Sequence, residues 1–413
     1  MARHTEPVLD WASDFDILDP GYVSDPFPIW EELRRRCPVA HTSRRASTWM
    51  PTRYEDVVRI AHDPGRFSSA AVGVIPPVGE GTGEPPEPGE VLLAYGLPPI
   101  TADPPLHTWT RRLLLPWFSH RRVEGYAATT RSIASRLVES FADRGAADAA
   151  ADYAQQIPAR VIGLVLGVPE ALSDTFTGWV RDFLEFADDD ERRAAGGLAM
   201  FRYLSGELER RREEPGEDLL TDLLGARVHE GPVDDAVILG MAMLVLVAGV
   251  DTTWSAIGAS LWHLATHDDD RHRLVAEPEL LPIAVEELLR AYAPVTMGRL
   301  VTEDTEVGGC PMAAGERVLL NFAAANRDPE AFPEADRVVL DRAHNRHVAF
   351  GSGIHRCAGS NLARMELAVA LEEWLRRIPE FHLAPGAEVR WAGGQVRGPR
   401  TVPVRFPPSG AQG

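Results

Sequence analysis

The chain has 413 residues, of which 45% are hydrophobic and 25% charged, the balance of a soluble globular protein. A formal net charge of −19 argues against general binding of nucleic acid or anionic membrane surfaces, and all 42 basic residues are arginine. Three cysteines, Cys37, Cys310 and Cys357, are too few and too scattered for a disulfide framework or a cysteine-rich zinc site, which favours a reducing, cytoplasmic compartment.

Met1 to Asp10 is polar and lacks the apolar run of a secretory leader. Pro28 to Arg36 has the pattern of a helix that ends near Pro38, and Trp49-Met50 with Val57 to Ala61 suggests a strand followed by a helix. Residues 71–100 are dense in Gly and Pro with scattered Val, Leu and Tyr, which predicts an irregular loop covering something apolar. From Leu106 to about residue 270 the apolar spacing is helical, with no alternating strand pattern. Pro232 to His267 is the longest helical candidate, with Asp234 and Asp235 at its start. Its most apolar part, Ala236 to Val250, is about fifteen residues, short of the roughly 18–20 of a bilayer span. Pro278 to Tyr292 is a further helix. Beyond Pro294 short strands are predicted at Val301–Val307, Glu316–Leu320 and Thr401–Phe406, with Pro403 confining the last to a sheet edge. With no repeat and no clear linker, residues 1–413 read as a single domain, mainly α with a small β portion.

The stretch Phe350-Gly351-Ser352-Gly353-Ile354-His355-Arg356-Cys357-Ala358-Gly359 suits a tight turn and puts a cysteine just before a helix over Ser360–Arg377. A helix N-terminus favours thiolate over thiol, and a thiolate in a bent loop can ligate a metal. Taken alone, the pattern also describes an ordinary buried cysteine. In the long helix, Ala248-Gly249-Val250-Asp251-Thr252-Thr253 combines a glycine that opens space for a ligand with the helix's one interior acid and two hydroxyls; a kinked core helix is the bland alternative. Glu287 and Arg290 share a helix face, and Arg337 could make the pair a network. His107 and Arg111, at i, i+4 in Asp103-Pro-Pro-Leu-His-Thr-Trp-Thr-Arg111, suit clamping an anion, as do Arg299 and His355.

In this order along one chain, the four segments resemble those of the bacterial-type soluble cytochromes P-450, haem-thiolate monooxygenases, and the resemblance runs from about Phe15 to Phe406. It implies the cytochrome P-450 fold, with a long central helix over the haem and the cysteine loop beneath, and haem b (iron protoporphyrin IX) as cofactor. Cys357 would be the axial thiolate on iron, in a loop closed by Gly359. His107, Arg111, Arg299 and His355 would pair with the propionates, and Phe350 would pack on the sulfur side of the ring. Asp251 and Thr252 would deliver protons on the dioxygen-binding side. Glu287, Arg290 and Arg337 would lock the core beneath the loop.

The resemblance also places substrate walls at the 71–100 loop, Leu244, Val245, Ala248, Val295 to Met297 and Val396; these are mainly apolar, which predicts a small or medium hydrophobic substrate. Arg397 could pair with a substrate acid. The chain has no room for a fused reductase, so electrons would come from an acidic ferredoxin with its reductase, docking on Arg112, Arg121, Arg122, Arg346, Arg356 and Arg364. A monomer is expected. The competing activities are a peroxide-driven peroxygenase, which the Asp251-Thr252 pair disfavours, and a non-catalytic haem sensor or carrier.

Overall fold

A computed structural model describes residues 6–44, 46–74, 96–186, 189–228 and 231–408. Most of the loop expected over 71–100 therefore lies outside the described residues. The chain is 54% helical and 13% strand. Its main helices are α1 (Phe27–Arg36), α2 (Tyr54–Ala61), α3 (Leu106–Leu114), α4 (His120–Glu139), α5 (Gln156–Leu166), α6 (Ser173–Leu184), α7 (Asp190–Glu213), α8 (Asp235–Thr266), α9 (Asp268–Ala276), α10 (Leu281–Ala291) and α11 (Ser360–Arg377).

The 32-residue α8 organises the body. Asp234 caps its first turn, accepting from the Ala236 N–H at 2.8 Å, and the helix then runs roughly 48 Å at 1.5 Å per residue. α5, α6, α7 and α11 pack around it, and its side chains are buried on nearly every face. By length and composition α8 could cross a membrane, contrary to the shorter stretch counted up to Val250, because Asp251 barely interrupts the apolar run. Yet 72% of its most apolar window is buried inside the protein, so α8 is a core helix. It starts at Asp235 rather than Pro232 because Gly231–Pro232 pairs with Arg227–Val228 as a short hairpin.

The β portion comes from both ends of the chain. One sheet is ordered β1-β2-β6-β5-β3, from Val39–Thr42 (β1), Thr48–Pro51 (β2), Phe67–Ser68 (β3), Thr296–Val301 (β5) and Arg317–Asn321 (β6). Only β2 and β6 run parallel in it. A second sheet sets Pro403–Arg405 (β10) between His382–Leu383 (β7) and Ala146–Asp148 (β4). Arg390–Ala392 (β8) pairs with Gly398–Thr401 (β9).

Two expectations fail here. β4 is a strand inside the supposedly all-helical region; its three residues carry no strand pattern of their own and are held by the pairing with β10. Pro403 is central, not at an edge: it opens β10, where no N–H is needed, and its carbonyl accepts from Ala384 at 2.9 Å.

Candidate active site

The loop after Phe350 is bent by two glycines. Gly351 and Gly353 have φ of 70° and 67°, left-handed values that side chains disfavour, and a Cβ on Gly353 would fall on the Ala61 carbonyl of α2. Cys357 N–H donates to Phe350 O at 2.7 Å and Gly351 N–H to Val348 O at 2.9 Å. α11 begins at Ser360 with Gly359 as N-cap, so the sulfur does lie just before a helix N-terminus. Its acidity goes the other way from expectation. Burial pushes the Cys357 thiol up, and the Gly359 N–H with Arg111, Arg356 and Arg364 only partly offsets that push. A cation bonded to the sulfur would favour the thiolate.

Beside the loop, two arginines and two imidazoles converge. His107 Nε2 donates to the Ile354 carbonyl at 3.1 Å, and the His107 and His355 rings lie 4.4 Å apart. His355 Nε2 meets Ser69 Oγ at 2.8 Å, and Arg111 Nη2 donates to the Arg356 carbonyl. Arg299, on β5, is 4% exposed, and its Nη1 donates to the Gly298 carbonyl at 2.7 Å. Burial lowers Arg299 to about 10, with Asp103 opposing. Burial, then Arg299, His107 and Arg111, lower His355 to about 3. Among the described residues no carboxylate stands within ion-pair distance of Arg111 or Arg299. The cluster is short of negative charge.

The middle of α8 is buried except at Ala248, Gly249 and Thr252. Leu244, Ala248 and Thr252 follow at i, i+4 and share a face, and Thr252 Oγ1 donates to Ala248 O at 2.6 Å. Gly249 does not open ligand space: a Cβ there would overlap Ile162 of α5, so its small size lets two helices approach. Asp251 is 1% exposed, with Oδ1 2.9 Å from Arg400 Nη2. Arg400 also pairs through Nε with Glu185 at the end of α6, lies 4.2 Å over the Trp254 ring, and donates from Nη1 to Ser255 Oγ at 2.9 Å. Burial raises Asp251 to about 6; Arg400 opposes this and Glu185 adds to it.

Beneath the loop, Glu287 and Arg290 are both fully buried and joined by a 2.7 Å bond between Oε1 and Nη2. Arg290 also donates to the carbonyls of Asn326, Ala335 and Arg337. Arg337 thus joins only through its main chain; its exposed guanidinium turns to the nearer Glu334, three residues back in sequence. The third charged member is Arg342, whose Nε lies 2.9 Å from Glu287 Oε2.

The family profile described as Cytochrome P450 matches residues 199–389. Mycinamicin IV hydroxylase/epoxidase of Micromonospora griseorubida is 40% identical over 365 residues, 86% of this chain and 89% of that protein. Vitamin D(3) 25-hydroxylase of Pseudonocardia autotrophica is 35% identical over 402 residues, 96% and 97% of the two chains. The solved structure of the Bacillus subtilis 168 bacillaene polyketide synthase cytochrome P450 PksS superposes with a TM-score of 0.85 at 26% identity, covering 95% of this chain and 99% of that one. The chain belongs to the cytochrome P450 family.

As a P450 it is a monooxygenase with a haem cofactor. The residues fit that group. Among the described residues Arg111 and Arg299 lack a counter-anion that two propionates would supply, and the Cys357 thiol is a ligand that iron would hold ionised. Of the expected substrate walls, Leu244 is buried and Ala248 exposed on one face of α8, and Val295 and Val396 meet as an isolated β-bridge. Val245, 5% exposed, belongs to the main hydrophobic core cluster. Arg397 is committed to the protein, donating to Val23 O at 2.9 Å and Ser24 O at 2.8 Å, and is not available to a substrate acid. Of the arginines expected to dock a donor, Arg112, Arg121, Arg122, Arg346 and Arg356 are exposed, whereas Arg364 is neutralised by a two-pronged pair with Glu286.

Arg342, Arg400 and Glu185 escape the sequence reading. For the last two the one available signal is Asp251 itself, since an acid alone in an apolar helix needs a buried cation somewhere.

Proposed function

We propose that this P450 inserts one atom of dioxygen into a small or medium hydrophobic molecule by hydroxylation, epoxidation or dealkylation. Electrons come from a separate acidic ferredoxin and its reductase. The reading is carried by one observation: in an otherwise buried α8, the accessible positions include Ala248 and Thr252, which form an apolar face ending in a hydroxyl beside a buried acid.

Haem, when bound, supplies dioxygen activation at an iron held by the Cys357 thiolate. The loop N–H groups and α11 orient that sulfur, and His107, Arg111, Arg299 and His355 hold the propionates. Phe350 packs against the sulfur-side face. Leu244, Ala248, Val295 and Val396 hold an apolar substrate and exclude water. Asp251, near 6, carries a proton part of the time at neutral pH, and the Thr252 hydroxyl presents it at the groove. Exposed Arg112, Arg121, Arg122, Arg346 and Arg356 give a local positive face on a chain of net charge −19, suited to an acidic donor. The protein works as one domain, as a monomer, in the cytoplasm.

The test is a haem spin-state screen of hydrophobic compounds, mycinamicin IV and vitamin D(3) among them, followed by turnover with reduced nicotinamide, ferredoxin and reductase. Oxygenated product that needs all three partners supports the reading. Equal turnover with peroxide alone would replace it with a peroxygenase, and binding without turnover by either route would replace it with a carrier.

A further inference from the structure

Far along α8 from Thr252, roughly 16 Å at 1.5 Å per residue, lies a second constellation that oxygen activation does not use. His263 is 1% exposed and has a strong partner on each ring nitrogen. Asp270 Oδ2, on α9, lies 2.8 Å from Nε2, and the Tyr292 hydroxyl, just past α10, lies 2.8 Å from Nδ1. A carboxylate only accepts, so Nε2 carries the proton and Nδ1 is left as acceptor for the phenol. Burial and the neighbouring His267 and Arg327 disfavour the charged imidazolium against the pull of Asp270, so the resting ring is neutral. The Tyr292 ring lies edge-on to Trp262 at 5.7 Å, and Trp262 lies edge-on to Trp391 at 5.2 Å. Both tryptophans are half-buried and reach the surface.

Tyr292 has an imidazole nitrogen as its acceptor. Tyr54 and Tyr153 donate to main-chain carbonyls, which cannot keep a proton. An oxidised phenol is a strong acid and is formed readily only where a base can take its proton. Imidazole backed by a carboxylate is such a base.

We infer that Tyr292 is a redox-active tyrosine whose phenol proton passes to His263 on oxidation, with Trp262 and Trp391 as its electron route to the surface. A one-electron oxidant, of the kind haem turnover generates when it misses its substrate, takes one electron from the Tyr292 ring. The O–H proton moves to Nδ1 of His263, and Asp270 holds the resulting imidazolium through Nε2–H. A neutral tyrosyl remains. One electron from a solution reductant such as ascorbate, arriving through Trp391 and Trp262, and return of the Nδ1 proton restore the phenol. The site would drain oxidising equivalents away from the groove, and it does not depend on which substrate or donor the enzyme uses.

The test is photo-oxidation of the ferric holoenzyme with a ruthenium tris(bipyridine) sensitiser and a sacrificial quencher, freeze-trapping and EPR. The expected result is a neutral tyrosyl signal whose formation shows a solvent deuterium isotope effect. Protein labelled with nitrogen-15 histidine should show hyperfine coupling of that radical to a histidine nitrogen, a readout that needs no variant. Tyr292→Phe, which removes only a hydroxyl and is checked for an unaltered carbon-monoxide band, should abolish the signal. An undiminished tyrosyl in Tyr292→Phe, a tryptophanyl alone in the wild type, or no histidine coupling would each overturn the assignment.

Discussion

Asp251 Oδ1 lies 2.9 Å from Arg400 Nη2, so the buried acid of α8 is tethered to the C-terminal strand β9. The same guanidinium faces Glu185, which also pairs with Arg181 Nε at 3.2 Å. Burial raises Asp251 to about 6, with Glu185 adding to the rise and Arg400 and Arg181 opposing it, and there an acid can both carry and release a proton at neutral pH.

Changing either neighbour should move that value in opposite directions. The groups facing Asp251 are Arg400 on β9, Glu185 and Arg181 at the end of α6, and Ser255 on its own helix. Arg400 favours the ionised form, so Arg400→Gln raises Asp251 further above 6. Glu185 disfavours it, so Glu185→Gln lowers it. Product formed per electron pair, followed from pH 5 to 8, should show its inflection moving up in the first variant and down in the second. Asp251→Asn should show none. Parallel movement of both variants would detach the pH response from Asp251.

Thr252→Ala should leave haem and substrate binding intact while product per electron pair falls severalfold and released peroxide rises to match. Among the described residues the Thr252 hydroxyl bonds within its own helix turn, to Ala248 O, so its loss costs little structure. Unchanged coupling would take Thr252 out of proton delivery.

Local chemistry made much of this legible. The left-handed glycines of the cysteine loop, the start of α11 at Ser360 and the bond between Glu287 and Arg290 follow from short-range rules about turns, helix ends and i, i+3 spacing. What stayed hidden depends on distant segments meeting. Arg342 reaches Glu287 because the chain folds back over α10, Arg397 is consumed by Val23 and Ser24, and Pro403 becomes central because β4 and β7 approach it from either side. No local pattern marks those encounters. The sign of the Cys357 shift was hidden for another reason: burial outweighs the helix terminus, and depth cannot be read from a loop.

Cys357→Ser should abolish the strongly red-shifted Soret band of the reduced, carbon-monoxide-bound protein. Burial opposes a thiolate here unless iron binds it, so sulfur and iron should stand or fall together. A wild-type band like that of a histidine-ligated haem would remove Cys357 from the iron.

Arg342 and Arg337 should part company in stability. Arg342→Leu takes a charged partner from buried Glu287, which keeps Arg290, and should cost about 1.5–3 kcal/mol, the usual value of a hydrogen bond to a charged group. Arg337→Leu removes an exposed pair with Glu334 and should stay within about 0.5 kcal/mol. Urea unfolding of the holoenzyme measures both. The reverse order would restore Arg337 to the network.

Gly249 separates packing from ligand space. A Cβ at this position would overlap Cδ1 and Cγ1 of Ile162, itself 1% exposed, so Gly249→Ala overfills the contact between α5 and α8 and should cost about 1–3 kcal/mol. Ile162→Val removes the Cδ1 atom that the new methyl strikes and alone should cost about 0.5–1.5 kcal/mol. If the glycine serves helix approach, the double variant is more stable than the sum of the two single changes predicts, because the two side chains compete for one space. If it served a ligand instead, Gly249→Ala would leave unfolding unchanged and weaken the substrate-induced spin shift, and Ile162→Val would rescue nothing. The overlap with Ile162 favours the first outcome, and a four-member thermodynamic cycle decides it.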